Sequence, residues 1–422
     1  MTANEGDAQA RSMADAVARR SYGKLVAFLA ARTHDVAAAE DALSEAFTSA
    51  LAHWPAEGTP ANPEAWLLTV ARRKLIDATR AWRKDENASD ELDTIAAGLE
   101  AAASTSAVPD QRLALMFACA HPAIEESVRA PLMLQVVLGL DAATIASAFL
   151  ISPSTMGQRL VRAKNKIRQA GIPFRIPERE ELRARLDTVL DAIYACFAEG
   201  WMDAAGTDIA RRDLAEEAIF LGQVVIELLP NDAEALGLLA LMLHAEARRA
   251  ARRNDGEYVP LSEQDPKRWN SAMIAQAEEL LQRASTLGSI GRYQLEAAIQ
   301  SAHVHRRRTG YDNWAEVAQL YDALFAISGS PVVAINRALA IAESQGPQAA
   351  LEALKEVEGD ARLAEYQPYW AARAELLAKA GAGEEARHAY EIAIGLERDD
   401  SVRRFLQRRQ SLLGGRSSGQ AC

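Results

Sequence analysis

Cysteine is scarce in this chain of 422 residues. The three cysteines, Cys119, Cys196 and Cys422, are too few and too widely separated for a disulfide framework or a zinc site. Cys119 lies near His121, but two such side chains do not complete a metal site. We therefore predict that the protein uses no metal and no other cofactor.

Long apolar runs are missing as well. No segment reaches the roughly 18 consecutive apolar residues of a membrane-spanning helix. Residues 1–20 contain no hydrophobic signal core. We expect the protein to be cytoplasmic and to have no membrane partner.

Motifs of catalysis do not appear either. The seven histidines are dispersed, and His303 and His305 stand beside the run Arg306-Arg307-Arg308 rather than near paired carboxylates. The sequence contains no glycine-rich phosphate loop and no nucleophile motif. These absences argue against an enzyme, and we interpret the histidines as solvated or capping groups near helix ends.

Acidic and basic side chains are divided unevenly along the chain, whose formal net charge is -11. Residues 1–176 contain 19 basic and 20 acidic side chains, whereas residues 177–422 contain 28 and 38. A nearly neutral first part with local basic helices suits contact with nucleic acid, whereas an acidic second part is repelled by it. We expect the second part to face protein or solvent.

Apolar residues recur at helical spacing throughout, and no convincing alternation of the strand type appears. The content of hydrophobic residues is 49% and that of charged residues 25%, which is ordinary for a globular protein. The sequence therefore predicts an all-α fold.

Residues 140–168, LDAATIASAFLISPSTMGQRLVRAKNKIR, have the pattern of a helix-turn-helix. The first helix is predicted from Asp141, its N-cap, to Phe149, and the second begins at Ser152 and Pro153. No acidic residue interrupts the second helix, so it suits a phosphate-lined DNA groove. The alternative is a solvated basic helix in an ordinary bundle. The inward positions of this second helix are Met156, Leu160 and Ile167, and its positive charges are Arg159, Arg162, Lys164, Lys166 and Arg168.

Two further helices are predicted between Ala14 and Trp54, with a break near Thr33-His34-Asp35. The second of them has an apolar face with Ala42, Leu43, Phe47 and Leu51, and an acidic face with Glu40, Asp41 and Glu45. Taken alone, these residues are also what an ordinary amphipathic helix would contain.

A loop rich in proline and glycine is predicted from Pro55, ending at the cap Asn62 and Pro63. The helix that follows, residues 64–84, combines Trp66 and Trp82 with a dense set of basic side chains. Such a surface suits tracking of a nucleic-acid backbone, although a solvated charged face is the alternative. The basic residues are Arg72, Arg73, Lys74, Arg80, Arg83 and Lys84.

Residues 85–108 contain six acidic and no basic residues, and we interpret them as a linker. Beyond Glu178 the clearest repeat has an offset of 36 residues, and its second copy fits a tetratricopeptide pattern except for Arg373. An earlier unit, with Leu236, Ala240 and Leu243 followed by Ala277, Leu281 and Ala284, is split by the polar insertion 252–269. In the main repeat, Ala334, Arg337, Ala338, Ile341, Ala350, Leu354 and Val357 correspond to Trp370, Arg373, Ala374, Leu377, Ala386, Tyr390 and Ala393.

The order of these features resembles a sigma factor of the extracytoplasmic-function type. AEDALSEAF (39–47) is similar to that family's core-binding helix, AWLLTVARRKLIDATR (65–80) to the helix that engages the minus-ten promoter element, and RLVRAKNKIR (159–168) to the minus-thirty-five recognition helix. The remaining chain resembles the tetratricopeptide-like extension of one branch of the family. The implied domains are sigma domain 2 (14–84), the acidic linker (85–108), sigma domain 4 (109–172) and the extension (178–415).

The resemblance implies core RNA polymerase and promoter DNA as partners, with promoter-specific transcription initiation as the function. It also implies an intramolecular contact between the extension and the sigma domains, because the extension appears in place of a separate inhibitor. The implied polymerase contacts are Asp41, Glu45 and Phe47; the minus-ten contacts are Trp66, Arg72, Arg73, Lys74, Arg80 and Arg83; the minus-thirty-five contacts are Ser154, Thr155, Gln158, Arg159, Arg162, Lys164 and Lys166.

Two other classes of protein remain open from the residues alone. A helix-turn-helix regulator with a helical-repeat sensor would bind its DNA site without polymerase and does not need the first 84 residues. An adaptor would use only the repeats, whose stacked helices form a concave surface for protein or peptide. The basic helices argue against the adaptor.

Overall fold

A computed structural model describes residues 3–82, 111–148, 151–202 and 209–414. The chain divides into two compact units, Met1–Glu199 and Gly200–Cys422. Helices dominate both units, which confirms the predicted all-α class. Among the described residues, no helix combines the length and the apolar character needed to cross a bilayer. The predicted linker 85–108 lies outside the described residues.

Several helices of the first unit begin at capping residues. The helices of this unit are α1 Ala3–Thr33, α2 Val36–Glu57, α3 Pro63–Trp82, α4 Arg112–Cys119, α5 Glu126–Leu138, α6 Ala142–Ala148, α7 Pro153–Gln169 and α8 Arg179–Met202, which ends inside the second unit. The predicted break after Thr33 is confirmed, since the Asp35 carboxylate accepts a hydrogen bond from the Ala38 amide at 3.1 Å and caps α2. Asn62 caps α3 in the same way, accepting from the Ala65 amide at 3.1 Å.

The predicted proline-rich loop is shorter than expected. Pro55 lies inside α2, which continues to Glu57, so the connection to α3 spans only residues 58–62. Gly58 ends the helix with a positive φ of 84°, a conformation that favours glycine.

α1 forms the centre of the first unit. Leu25, Val26 and Leu29 are completely buried, and α1 packs against α2, α3, α4 and α5. Each fully buried leucine of this kind contributes roughly 1.5–3 kcal/mol. Helices from both sides of the predicted linker therefore share one hydrophobic core.

The second unit is a succession of helix pairs. Its helices are α9 Ile209–Leu228, α10 Ala233–Glu246, α11 Ser271–Ser285, α12 Arg292–Thr309, α13 Trp314–Ser328, α14 Pro331–Gln345, α15 Pro347–Leu354, α16 Gln367–Lys379, α17 Gly383–Leu396 and α18 Asp400–Gly414. α10 packs closely against α11 and α12, so the helices on either side of the polar insertion are paired as the sequence predicts.

The insertion contains a short hairpin that was not predicted from the sequence. β1 Arg253–Asn254 pairs antiparallel with β2 Glu257–Tyr258 across Asp255 and Gly256, which have φ angles of 48° and 80°. Two positive φ angles in an Asp-Gly pair are typical of a tight hairpin turn. Arg404 and Arg408 of α18 hold the Glu257 carboxylate at 2.7 and 3.1 Å.

The offset of 36 residues corresponds to two successive helix pairs, α14 with α15 and α16 with α17. Small residues at the helix crossings are buried in both pairs, including Ala338 in the first and Ala374 in the second. Arg337 and Arg373 occupy equivalent positions, and each pairs with an acid, Glu356 at 3.1 Å and Glu358 at 2.7 Å. Arg373, which departs from the apolar pattern, is therefore stabilised by an ion pair.

Candidate nucleic-acid interface

The predicted helix-turn-helix is formed by α6 and α7. The Asp141 carboxylate caps α6, accepting from the Thr144 amide at 3.0 Å and the Thr144 hydroxyl at 2.8 Å, and these hydrogen bonds lower the pKa of Asp141. Ser152 caps α7 by accepting from the Thr155 amide at 3.2 Å, with Pro153 at the first helical position. Both predicted caps are confirmed; Phe149 lies outside the described residues. The buried stripe of α7 consists of Met156, Leu160, Ala163 and Ile167.

Polar and basic side chains cover the opposite side of α7. Arg159, Arg162 and Lys166 line an open cavity of about 480 Å³ together with residues of the turn before α5, including Glu125. Three cations around one opening suit an anionic group such as a phosphate. The predicted contacts in the first turn and a half of the helix, Ser154, Thr155 and Gln158, are all exposed.

Lys164 does not lie on the exposed side of α7, contrary to expectation. Its ammonium is 2.8 Å from the Glu40 carboxylate of α2, and both side chains are only 14% exposed. Position 164 is one helical turn from the buried Leu160 and Ile167, so it lies at the border of the inward face. Arg168, one turn further, pairs with Asp35 at 3.2 Å.

α3 presents part of the predicted minus-ten surface. Arg73 and Lys74 are exposed, Arg72 is half-buried, and Lys74 pairs with Glu45 of α2 at 2.9 Å. The Arg80 side chain and all of Arg83 lie outside the described residues.

An aromatic cluster marks the start of α3, next to the 58–62 connection. Half-buried Trp66 packs edge-on against buried Trp54, with ring centroids 5.5 Å apart, and His53 lies 6.4 Å away. Aromatic faces of this kind are surfaces on which a base can stack. Trp66 is the predicted contact within this cluster.

The outer face of α2 combines acids with apolar side chains. Asp41 and Glu45 are exposed, Phe47 is half-buried, and Leu51 is 46% exposed. Leu51 was expected on the inward face, but that face is formed by Val36, Ala39, Ala42, Leu43, Ala46, Ala50 and Trp54. An exposed leucine and a half-buried phenylalanine flanked by acids form a surface suited to another protein.

Two histidines of the second unit are buried, which corrects the expectation that the histidines are solvated or capping groups. His303 is 9% exposed; its Nδ1 lies 2.9 Å from Arg306, and its ring packs edge-on against Trp314. Burial, with Arg306 and Arg248 nearby, lowers the pKa of His303 to about 3. His244 is fully buried, and burial with Arg248 and Arg308 lowers its pKa to about 4 despite Glu278 at 3.5 Å.

A groove of about 610 Å³ runs between helices of the second unit. Trp314, Tyr390 and Phe405 contribute aromatic surface, and Tyr258 of the hairpin closes one part of it. Its charged lining residues include the pair Lys379 and Glu343. This groove is a concave surface of the kind that helical repeats offer to a peptide or protein.

Comparison with known proteins agrees with the geometry of the first unit. Residues 17–85 match the family model of sigma-70 region 2, and residues 185–285 match a family of unknown function, DUF6596. The match to sigma-70 region 2, a transcription-factor domain, supports a role in transcription initiation.

An uncharacterized protein of Rhizobium meliloti (strain 1021) is 36% identical over 375 residues, which cover 87% of this chain and 88% of the relative. The chain therefore belongs to the same family as that protein. No solved structure matches the chain.

Proposed function

We propose that the protein is a sigma factor of the extracytoplasmic-function type. It binds core RNA polymerase through α2, engages the minus-ten element through α3 and reads the minus-thirty-five element through α7. The observation that carries the proposal is the presence, in one chain, of a sigma-70 region 2 and a capped helix-turn-helix whose second helix has cations and no acids. A subunit that grips both an enzyme and two DNA elements needs these separate surfaces.

The second unit, in this proposal, is a tetratricopeptide-like extension that modulates the sigma domains. Its successive helix pairs and its groove support a role in binding protein. Because it is tethered to the sigma domains, even weak contacts with them would be occupied at high effective concentration.

The proposal is tested by asking whether the purified full-length protein co-elutes with bacterial core RNA polymerase and directs run-off transcription. A sigma factor is expected to do both and to protect promoter DNA only in the presence of polymerase. A protein that footprints its DNA site alone and does not bind core polymerase is a helix-turn-helix regulator instead.

Reversing the charge of Asp41 is expected to weaken binding to core polymerase by about 10-fold or more, because a like charge is then placed against the partner surface. Asp41 is exposed on α2, so Asp41→Arg leaves the core of the unit intact. Affinity is measured by fluorescence anisotropy of labelled protein, with circular dichroism to verify folding.

Glu126→Arg provides the matched control, since Glu126 is exposed in the first turn of α5 and is assigned to no interface. A folded Asp41→Arg variant that binds core polymerase as tightly as the control contradicts the assignment of α2.

Removing the extension is expected to change the rate of promoter-dependent transcription. The structure determines where the chain should be truncated. α8 belongs to the first unit as far as Glu199, and its Arg185 donates a hydrogen bond to the Phe117 carbonyl at 3.5 Å. A truncation after Met202 therefore keeps the first unit whole, whereas one after Pro177 removes part of its core.

An increased rate identifies an inhibitory extension, and a decreased rate identifies an extension that adds a polymerase contact. A truncated protein that folds, binds core polymerase and transcribes at the full-length rate across a salt titration contradicts modulation in either direction.

A further inference from the structure

The polar insertion 252–269 bounds one side of the groove of about 610 Å³ in the second unit. At its hairpin the insertion is attached to α18, because Glu257 forms two ion pairs with that helix. It is attached to α12 as well, since the Gln264 carbonyl accepts a hydrogen bond from Arg307 at 2.7 Å. Residues between these two attachments, among them Tyr258, line the groove. A molecule inside the groove is therefore enclosed on that side.

The lining of the groove is mostly apolar. Ile335, Leu376 and Tyr390 are buried beneath it, and the half-buried Trp314 and Phe405 present aromatic surface. Small-molecule sites are typically cavities of roughly 300–1,000 Å³ with apolar and aromatic walls and a few polar groups that fix the orientation of the ligand. The groove has the volume and the lining of such a site.

Most charged side chains at the groove are already satisfied. Lys379 pairs with Glu343 at 2.5 Å, and Arg409 pairs with Glu375. Glu263 is exposed, so water solvates its carboxylate. These five side chains therefore offer little attraction to a further charge.

Arg306 of α12 is the remaining charged residue of the lining, and it differs from the others. In the described part of the chain, no carboxylate lies within ion-pairing distance of its guanidinium. Its hydrogen-bond partners are neutral: Nδ1 of His303 at 2.9 Å and the side-chain oxygen of Asn313 at 3.2 Å. The guanidinium lies over the Trp314 ring, 3.6 Å from the ring centroid. A guanidinium has five N–H donors, and these two hydrogen bonds leave three for a ligand.

The surroundings of Arg306 favour a single carboxylate as its partner. Burial lowers the pKa of Arg306, although Asp312 and Glu343 at longer range act in the opposite direction. A carboxylate matches the planar fork of a guanidinium and forms charge-assisted hydrogen bonds with it. A phosphate carries more charge and would need further cations, but the other cations of the groove are engaged with acids.

We propose that the groove binds a small carboxylic acid with an aromatic or branched aliphatic body. The carboxylate binds Arg306, and the body packs on Trp314 and along the apolar lining. An extended peptide is less suited to the groove, because the backbone N–H and C=O of each residue need partners, whereas the lining offers two side-chain amides, Asn336 and Gln367. The inference goes beyond the proposed function, which gives the second unit a protein partner.

Isothermal titration calorimetry of the full-length protein tests the inference with three pairs of probes. The acids are hydrocinnamate, indoleacetate and isocaproate, and each is compared with its own carboxamide. We expect at least one acid to bind with a Kd below about 1 mM. Its carboxamide keeps the body but lacks the charge, so we expect it to bind about 10-fold more weakly or worse.

Arg306→Gln is expected to remove this preference, so that the acid binds no more tightly than its carboxamide. The glutamine amide can still donate a hydrogen bond to His303 or Asn313, which keeps the surroundings satisfied. Arg308→Gln is the matched control: it makes the same change in charge on the same helix, at an exposed side chain that lines a different cavity. The control is expected to keep the wild-type preference.

Circular dichroism verifies the folding of each variant. If Arg306→Gln does not fold, Asn336→Trp decides, because it fills the groove from an exposed position on α14 and is expected to abolish binding of acid and carboxamide alike.

Three results overturn the inference: acids and carboxamides that bind the wild type equally, acids that do not bind in this range, and an acid that binds Arg306→Gln as tightly as the wild type. An amidated apolar hexapeptide that displaces the acids and binds Arg306→Gln as well as the wild type identifies a peptide groove and overturns it too. These titrations contain neither polymerase nor DNA, so a failure of the proposed function leaves their outcome unchanged.

Discussion

Replacing Arg159 and Arg162 together with alanine is expected to lower the affinity of the polymerase-bound protein for its promoter by roughly 10- to 100-fold. Both side chains line the cationic cavity beside α7, and neither belongs to the buried stripe. A base-reading arginine contributes about 1–3 kcal/mol and specifies one position. A phosphate-binding arginine instead contributes to affinity at every sequence, and its loss lowers the slope of log affinity against log salt by about 0.9.

Anisotropy titrations at several salt concentrations separate these two roles. Arg175→Ala is the matched control, because Arg175 follows α7 in the sequence and forms only an exposed pair with Glu178 at 3.5 Å. If the double variant footprints the promoter as the wild type does, α7 is not the recognition helix. Lys164 is left out of the variant because its replacement would also remove the ion pair with Glu40 of α2.

Lowering the pH from 6.5 to 5 is expected to reduce the free energy of unfolding of the second unit by about 3 kcal/mol. His244 and His303 have folded pKa values of about 4 and about 3, well below the unfolded value of 6.5. In this pH window both imidazoles become protonated in the unfolded chain but stay neutral in the folded chain. Stability therefore falls as the pH falls. Carboxylates with lowered pKa values, such as Asp399, add their own loss only at lower pH.

Urea unfolding followed across this pH range provides the measurement. His244→Leu removes one of the two protons and should reduce the slope of stability against pH by up to about 1.36 kcal/mol per pH unit. Leucine suits the site because neither ring nitrogen of His244 forms a hydrogen bond. His388→Gln, at an exposed position, is the control. Equal slopes for His244→Leu and the wild type would mean that His244 is already protonated in the folded protein.

Local signals in the sequence are sufficient for much of the fold. Asn62, Asp141 and Ser152 each cap the helix that they were expected to start, and Asp35 caps α2 at the predicted break. These predictions succeed because a cap is satisfied within three residues of chain. The inward stripe of α7 follows from helical spacing in the same way.

Contacts between distant segments could not be predicted. Glu40 and Lys164 are 124 positions apart, and each is an ordinary charged residue of an amphipathic helix. The burial of His244 results from packing of α10 among α11 and α12, which no local pattern encodes. The hairpin at Asp255 and Gly256 does have a local signal, since Asp-Gly is a typical two-residue turn, but its strands are too short for an alternating pattern.

The contact of Gly23 in α1 with Val137 in α5 leaves this helix crossing no tolerance for substitution. Because backbone lies directly against backbone, the two helices have no softer side-chain layer that could yield by degrees. Any side chain at position 23 would therefore have to displace a helix rather than a neighbouring side chain.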